Sequence, residues 1–85
     1  MKLFFTERFH RDYKGLPGAI QSQTDHKLEL FIKNARHPSL QAKKMQRTHG
    51  IWELRVNQSY RMTFEMNEDT CVLRRIGTHD VLRKP

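Results

Sequence analysis

At 85 residues the chain has room for one domain with a small core, because a chain this size buries only about 60% of the surface its unfolded form exposes. Lys and Arg outnumber Asp and Glu 16 to 9, and the resulting charge of +7 favours polyanionic partners without bearing on the fold. No run approaches the ~20 apolar residues that span a bilayer, and no charged start followed by an apolar stretch marks a secretory signal. The single Cys71 rules out an intrachain disulfide and offers no metal framework, so the expectation is one cytoplasmic domain, residues 1–85, with no membrane, metal or cofactor.

Leu3-Phe4-Phe5 reads as a short buried strand. Thr6 is placed as a helix N-cap with Glu7 in the first turn, and Phe9 and Tyr13 share one face of a short helix that Gly15 ends. Pro17 suits the first turn of a second helix. Its apolar stripe runs Leu28, Phe31, Ile32, Ala35, extended backwards by Thr24 and Ile20, and Pro38 is expected to close it.

Beyond Pro38 the period changes from helix to strand. Ala42 to Met45 is a candidate short strand leading into a Thr48-His49-Gly50 turn. Trp52, Leu54 and Val56 then alternate with Glu53 and Arg55, and after an Asn57-Gln58-Ser59 turn Tyr60, Met62, Phe64 and Met66 alternate with Arg61, Thr63 and Glu65. Asn67 to Thr70 makes the next turn, and Cys71 to Gly77 the last strand. In a regular strand Leu73 and Ile76 cannot share a face, so a bulge is expected near Arg74-Arg75. The order β-α-α-β-β-β-β predicts an α+β domain with two N-terminal helices on one face of a mostly antiparallel sheet. The other face is expected to be exposed or covered only by a partner.

Between Arg36 and Arg61 stand six basic residues and one acid, Glu53. Strand parity puts Glu53, Arg55 and Arg61 on the outward face, with Lys44 beside them if Met45 points inward; Lys43 and Arg47 extend the basic tract. Such a face suits a sugar–phosphate backbone, although outward positions of a half-buried sheet are commonly charged for solvation alone. His79 follows Ile76-Gly77-Thr78 at the end of the last strand, and histidine titrates closest to neutrality. Cleavage of RNA by its own 2′-hydroxyl requires a base, a cation on the phosphorane and an acid for the leaving 5′-oxygen. Glu53, His79 and the Arg55/Arg61 pair supply those chemical types without a metal. His10, His26, His37 and His49 have no such setting. Trp52 and the methionines read as core, and Cys71 as a small core residue.

Trp52 to Val56, Tyr60 to Phe64, and Ile76 to Leu82, with Lys43-Lys44-Met45 ahead of Gly50, together resemble the three-strand signature of the RelE/ParE toxin superfamily along essentially the whole chain. The resemblance implies a RelE-like, microbial-ribonuclease-like fold. It also implies a ribosome-dependent mRNA endonuclease that inhibits translation on the 70S ribosome and is neutralised by a cognate antitoxin protein, with operator DNA met only through that antitoxin. By the same resemblance Arg61 is the phosphate-stabilising arginine and His79 the catalytic histidine of the Gly-Thr-His ending found in the YafQ branch. Lys43 and Lys44 correspond to the RNA-contacting lysines of the RelE branch, and Glu53 to the YoeB-branch glutamate. The chain departs from the RelE branch in having no aromatic residue after Phe64. A ParE-like inhibitor of DNA gyrase and an inactive antitoxin-binding relative are the alternatives on the same fold.

Overall fold

The computed structural model describes every residue, Met1–Pro85. In chain order the elements are β1 (Lys2–Phe5), α1 (Glu7–Lys14), α2 (Gly18–Lys33), β2 (Lys43–Lys44), β3 (Trp52–Arg55), β4 (Tyr60–Asn67) and β5 (Thr70–Thr78), with 3₁₀ turns at Pro38–Leu40 and His79–Leu82. The strands form one five-stranded sheet in the order β1-β5-β4-β3-β2, in which β1 runs parallel to β5 and every other neighbour pair is antiparallel. The expected α+β architecture is therefore the observed one. No helix is long and apolar enough to cross a membrane.

Thr6 caps α1 by accepting from the Phe9 amide at 3.1 Å, and its hydroxyl donates to the Leu73 carbonyl at 3.0 Å. One residue thus starts the helix and fastens it to β5. Two details of α2 depart from expectation. Pro17 is the N-cap, one residue ahead of the helix, and the helix ends at Lys33, well before Pro38, which opens a 3₁₀ turn instead. The buried face is Thr24, Leu28 and Phe31, while Ile32 is 51% exposed and Ala35 lies past the helix end. The reason is angular: at 3.6 residues per turn Ile32 sits about 80° round the helix from Thr24, at the margin of the stripe. Thr24 is tolerated in the core because its hydroxyl donates to the Ile20 carbonyl at 2.8 Å.

The bulge in β5 falls where the sequence requires it. Thr63 pairs with Arg75 and Phe64 with Leu73, so Arg74 is the extra residue, and Leu73 and Ile76 both reach the core. The β3–β4 turn is fixed by Asn57, whose side-chain oxygen accepts from the Ser59 and Tyr60 amides at 2.8 and 2.9 Å. The core lies between the helices and the inward face of the sheet, centred on Phe9, Phe31, Leu54, Met62 and Leu73. Trp52 stacks on Phe64 with ring centres 6.1 Å apart and is half-buried at the margin of that core. Cys71 is fully buried, and burial pushes its thiol up to about 12, so it stays protonated and inert. Phe4 is not buried: it pairs with Val72 on the outward side of an edge strand and is 58% exposed.

The outward face is not left open to a partner alone. Residues after β5 fold back across it. Val81 is 5% exposed and rests over Gly77, and the Pro85 carboxylate accepts from the Thr63 hydroxyl at 3.1 Å. Thr63 points outward as its parity demands, yet it is completely buried under this segment.

Candidate functional site

Sheet register sorts the candidate residues into rows on the outward face. One row runs Lys43–Glu53–Thr63–Arg75, and the next runs Arg55–Arg61–Gly77. Lys43, not Lys44, joins Glu53: Lys44 pairs with Trp52 and so shares that residue's side of the sheet. Arg47 occupies the β2–β3 loop with a left-handed φ of 63°, beyond the Trp52 end of β3 and away from Arg55 and Arg61. The structure thus brings together Lys43, Glu53, Arg55 and Arg61 and separates Lys44 and Arg47 from them.

Arg61 is the centre of this group. Its side chain is 12% exposed, and Nη1 donates to the carbonyls of Asn57, Tyr60 and Gln58 at 2.6, 3.0 and 3.3 Å. Nε lies 4.0 Å from Glu53 Oε1. Arg55 converges on the same turn, donating from Nε to the Asn57 carbonyl at 3.3 Å and from Nη1 to Gln41 Oε1 at 3.0 Å. These bonds use one end of each guanidinium and hold its plane. The Nη2 groups of both are left for another acceptor, and no buried side-chain nitrogen or oxygen lacks a partner, so those groups meet solvent.

His79 opens the 3₁₀ turn after β5 and is exposed, and its imidazole ring has no hydrogen-bond partner in the protein. Its approach to the group is set by register: Thr78 pairs with Tyr60, and Gly77 with Arg61. Gly77 is required there, because a Cβ on it would lie 2.7 Å from Val81 Cγ1. Only a residue without a side chain lets the turn carrying His79 fold down beside Arg61.

Sequence reasoning overlooked Asp12. β1 stops pairing at Leu73, so the Ile76 amide faces an edge with no strand beside it. Asp12 accepts from that amide at 3.2 Å and from Arg75 Nε at 2.8 Å, with Arg8 Nε 3.6 Å away. It fixes the end of β5 from which His79 emerges. The only hint in the sequence is the i, i+4 spacing of Arg8 and Asp12, a common surface pattern.

No group of three or more His, Cys, Asp or Glu side chains is arranged to hold a metal ion. On the opposite side of the sheet an apolar groove of about 460 Å³ is lined by Met1, Phe31, Trp52, Phe64 and Met66, with Arg36 and His37 also along it.

No protein-family model matches the chain. It is 30% identical over 82 residues to Toxin RelE3 of Methanocaldococcus jannaschii, an alignment that covers 89% of this chain and 88% of the relative. The chain belongs to the RelE/ParE superfamily of toxin–antitoxin toxins. Solved structures agree on the fold. YafQ from E. coli strain BL21(DE3) matches with a TM-score of 0.79 at 15% identity, covering 95% of this chain and 96% of that one. A chain of the RelB–RelE antitoxin–toxin complex from Methanococcus jannaschii matches with a TM-score of 0.73 at 24% identity, covering 94% of each chain. In this RelE/ParE member the three signature segments are β3, β4, and the end of β5 with its 3₁₀ turn, so the residues that carry the resemblance adjoin one another.

Proposed function

We propose that this RelE/ParE-superfamily toxin is an endoribonuclease that cuts mRNA on the ribosome by 2′-hydroxyl attack without a metal. The observation that carries the reading is the placement of Glu53 4.0 Å from Arg61 on a basic sheet face, beside the strand end that delivers an unpartnered His79. Arg61 presents Nη2 to the phosphate and stabilises charge as the phosphorane forms; its Nη1 is fixed beforehand on three carbonyls, so little reorganisation accompanies the step. Glu53 and His79 between them take the 2′-hydroxyl proton and return one to the leaving 5′-oxygen. Arg55 and Lys43 hold flanking phosphates. The partner that restrains the toxin is a cognate antitoxin. A segment carrying both acidic and apolar residues matches the +7 charge and the groove at Trp52 and Phe64.

Arg61→Ala and His79→Ala test the assignment. Each is expected to reduce mRNA cleavage on translating ribosomes by at least about 100-fold and to abolish growth arrest. A thermal melt accompanies each variant, because Arg61 also braces its own turn, and Arg61→Lys keeps the charge if Arg61→Ala melts early. Full toxicity retained in folded His79→Ala and Arg61→Lys proteins overturns the reading. An unaltered protein that arrests no growth and cuts no RNA is instead an inactive antitoxin-binding relative, and one that blocks supercoiling is a gyrase inhibitor.

A further inference from the structure

On the outward side of the sheet, where β5 meets β1, lies a cleft of about 320 Å³ lined by Thr6, Arg8, Arg74, Arg75, Lys84 and Pro85. Four of these six residues have cationic side chains and none has an acidic one. Three local features assemble them. The bulge at Arg74 turns two consecutive arginines toward the same region, the start of α1 contributes Arg8, and the segment that folds back after Val81 contributes Lys84.

The charges are only partly answered. Arg75 is bound to Asp12 at 2.8 Å and Arg74 lies 3.5 Å from Glu65. Arg8, 56% exposed, shares Asp12 at 3.6 Å, and Lys84 has no ion pair. Four cationic side chains thus face two carboxylate side chains and the Pro85 carboxylate against Arg74, an excess of one positive charge, and the terminal nitrogens of Arg8 and Lys84 make no hydrogen bond within the protein. Backbone contacts hold the walls in place: Arg74 Nε donates to the Pro85 carboxylate and Arg75 Nη1 to the Lys84 carbonyl, each at 3.1 Å.

We propose that this cleft is a second phosphate-binding subsite for the RNA strand whose scissile phosphate lies at Arg61, an inference that rests on the nuclease reading above. Arg75 is the cross-strand neighbour of Thr63, which is the neighbour of Glu53, so two strand spacings, about 10 Å, separate Arg75 from Glu53 on the same face, and Arg61 lies on the strand between them. The lining favours a phosphate over an acidic protein segment. Cations without an apolar wall suit a sugar–phosphate backbone, whereas a folding peptide needs a groove of apolar surface to bury, and the apolar groove lies on the opposite side of the sheet.

The test is the binding of a short fluorescein-labelled single-stranded oligoribonucleotide to the full chain carrying His79→Ala, measured by anisotropy over a range of salt. One phosphate contact carries about 0.7 of the slope of log affinity against log salt, so Arg8→Gln with Lys84→Gln is expected to lower that slope by about 0.7, and adding Arg74→Gln to lower it little further. Arg8 and Lys84 make no side-chain hydrogen bond, so the double variant keeps the fold even where the triple loses stability. Lys14→Gln with Lys33→Gln, on the helices, removes equal charge and is expected to leave the slope in place. Equal loss in that control overturns the proposal, as does an unchanged slope in the cleft variants. Weakened binding of poly-glutamate with the RNA slope intact assigns the cleft to an acidic protein and also overturns it. If the starting protein binds no RNA, the nuclease reading falls as well; if it does and only the cleft variants are silent, that reading stands.

Discussion

A Cβ on Gly77 would approach Val81 Cγ1 to 2.7 Å, and Val81 is β-branched and buried, so it has little freedom to give way. Gly77→Ala is therefore expected to destabilise the protein by about 1–3 kcal/mol, the usual range for overpacking. Combining it with Val81→Ala should recover part of that loss, giving a double variant more stable than the sum of the single effects in chemical denaturation. Strict additivity would show that the two side chains do not compete for the same space. Asp12 acts at the same scale from the other side of β5: one carboxylate serves an arginine and an orphan edge amide. Asp12 belongs to no chemical motif, and Gly77 enters the Gly-Thr-His ending only as its first residue. Neither role is visible until the strand edge and the returning segment are placed against Asp12 and Gly77.

Among the elements, α2 shows where periodicity is informative and where it is coarse. The spacing places Leu28, Phe31 and Ile32 on a single stripe, but the sheet accepts only the centre of that stripe. Ile32→Gln is expected to change stability by no more than about 0.5 kcal/mol, since the side chain is already half in water. Phe31→Ala, which removes a ring 5.1 Å from that of Phe64, is expected to cost about 3–5 kcal/mol. Comparable effects in thermal melts would mean that α2 is rotated from the described orientation. The β5 bulge was legible beforehand because two apolar residues three apart cannot both face inward without an extra residue between them. The outward strand positions were legible too, as Glu53, Arg55 and Arg61 show. The expected place of Lys44 beside Glu53 is taken by Lys43 instead, because a two-residue strand has no alternation of its own and only its pairing with β3 sets its parity.

For the whole molecule, the basic clusters and the apolar groove lie on different sides of the sheet. The basic groups around Arg61 and the Arg8–Arg74–Lys84 cleft lie on one side, and the groove at Trp52 and Phe64 on the other. Binding to ribosomes or RNA through the first is expected to weaken steeply as salt rises, because it rests on counterion release. Antitoxin binding is expected to be less sensitive, because it also buries apolar area, which salt screens little. Titrations of the purified toxin with each partner at matched salt concentrations give the two slopes, and equal slopes would contradict this division.

The sequence by itself determined the α+β class, the strand parity, the bulge, and the presence of a basic face beside a histidine. Those features follow from local periodicity and from the order of residue types, which need no knowledge of distant contacts. The tertiary structure alone decided that Lys43 rather than Lys44 stands beside Glu53, that Arg47 lies apart, and that the outward face is partly covered by the chain's own last residues. It also decided that Asp12 secures the β5 edge and that Arg8, Arg74 and Lys84 meet around one cleft. These depend on pairings between residues up to 76 positions apart, and such contacts arise from packing and chain reversal, not from any pattern within a single segment.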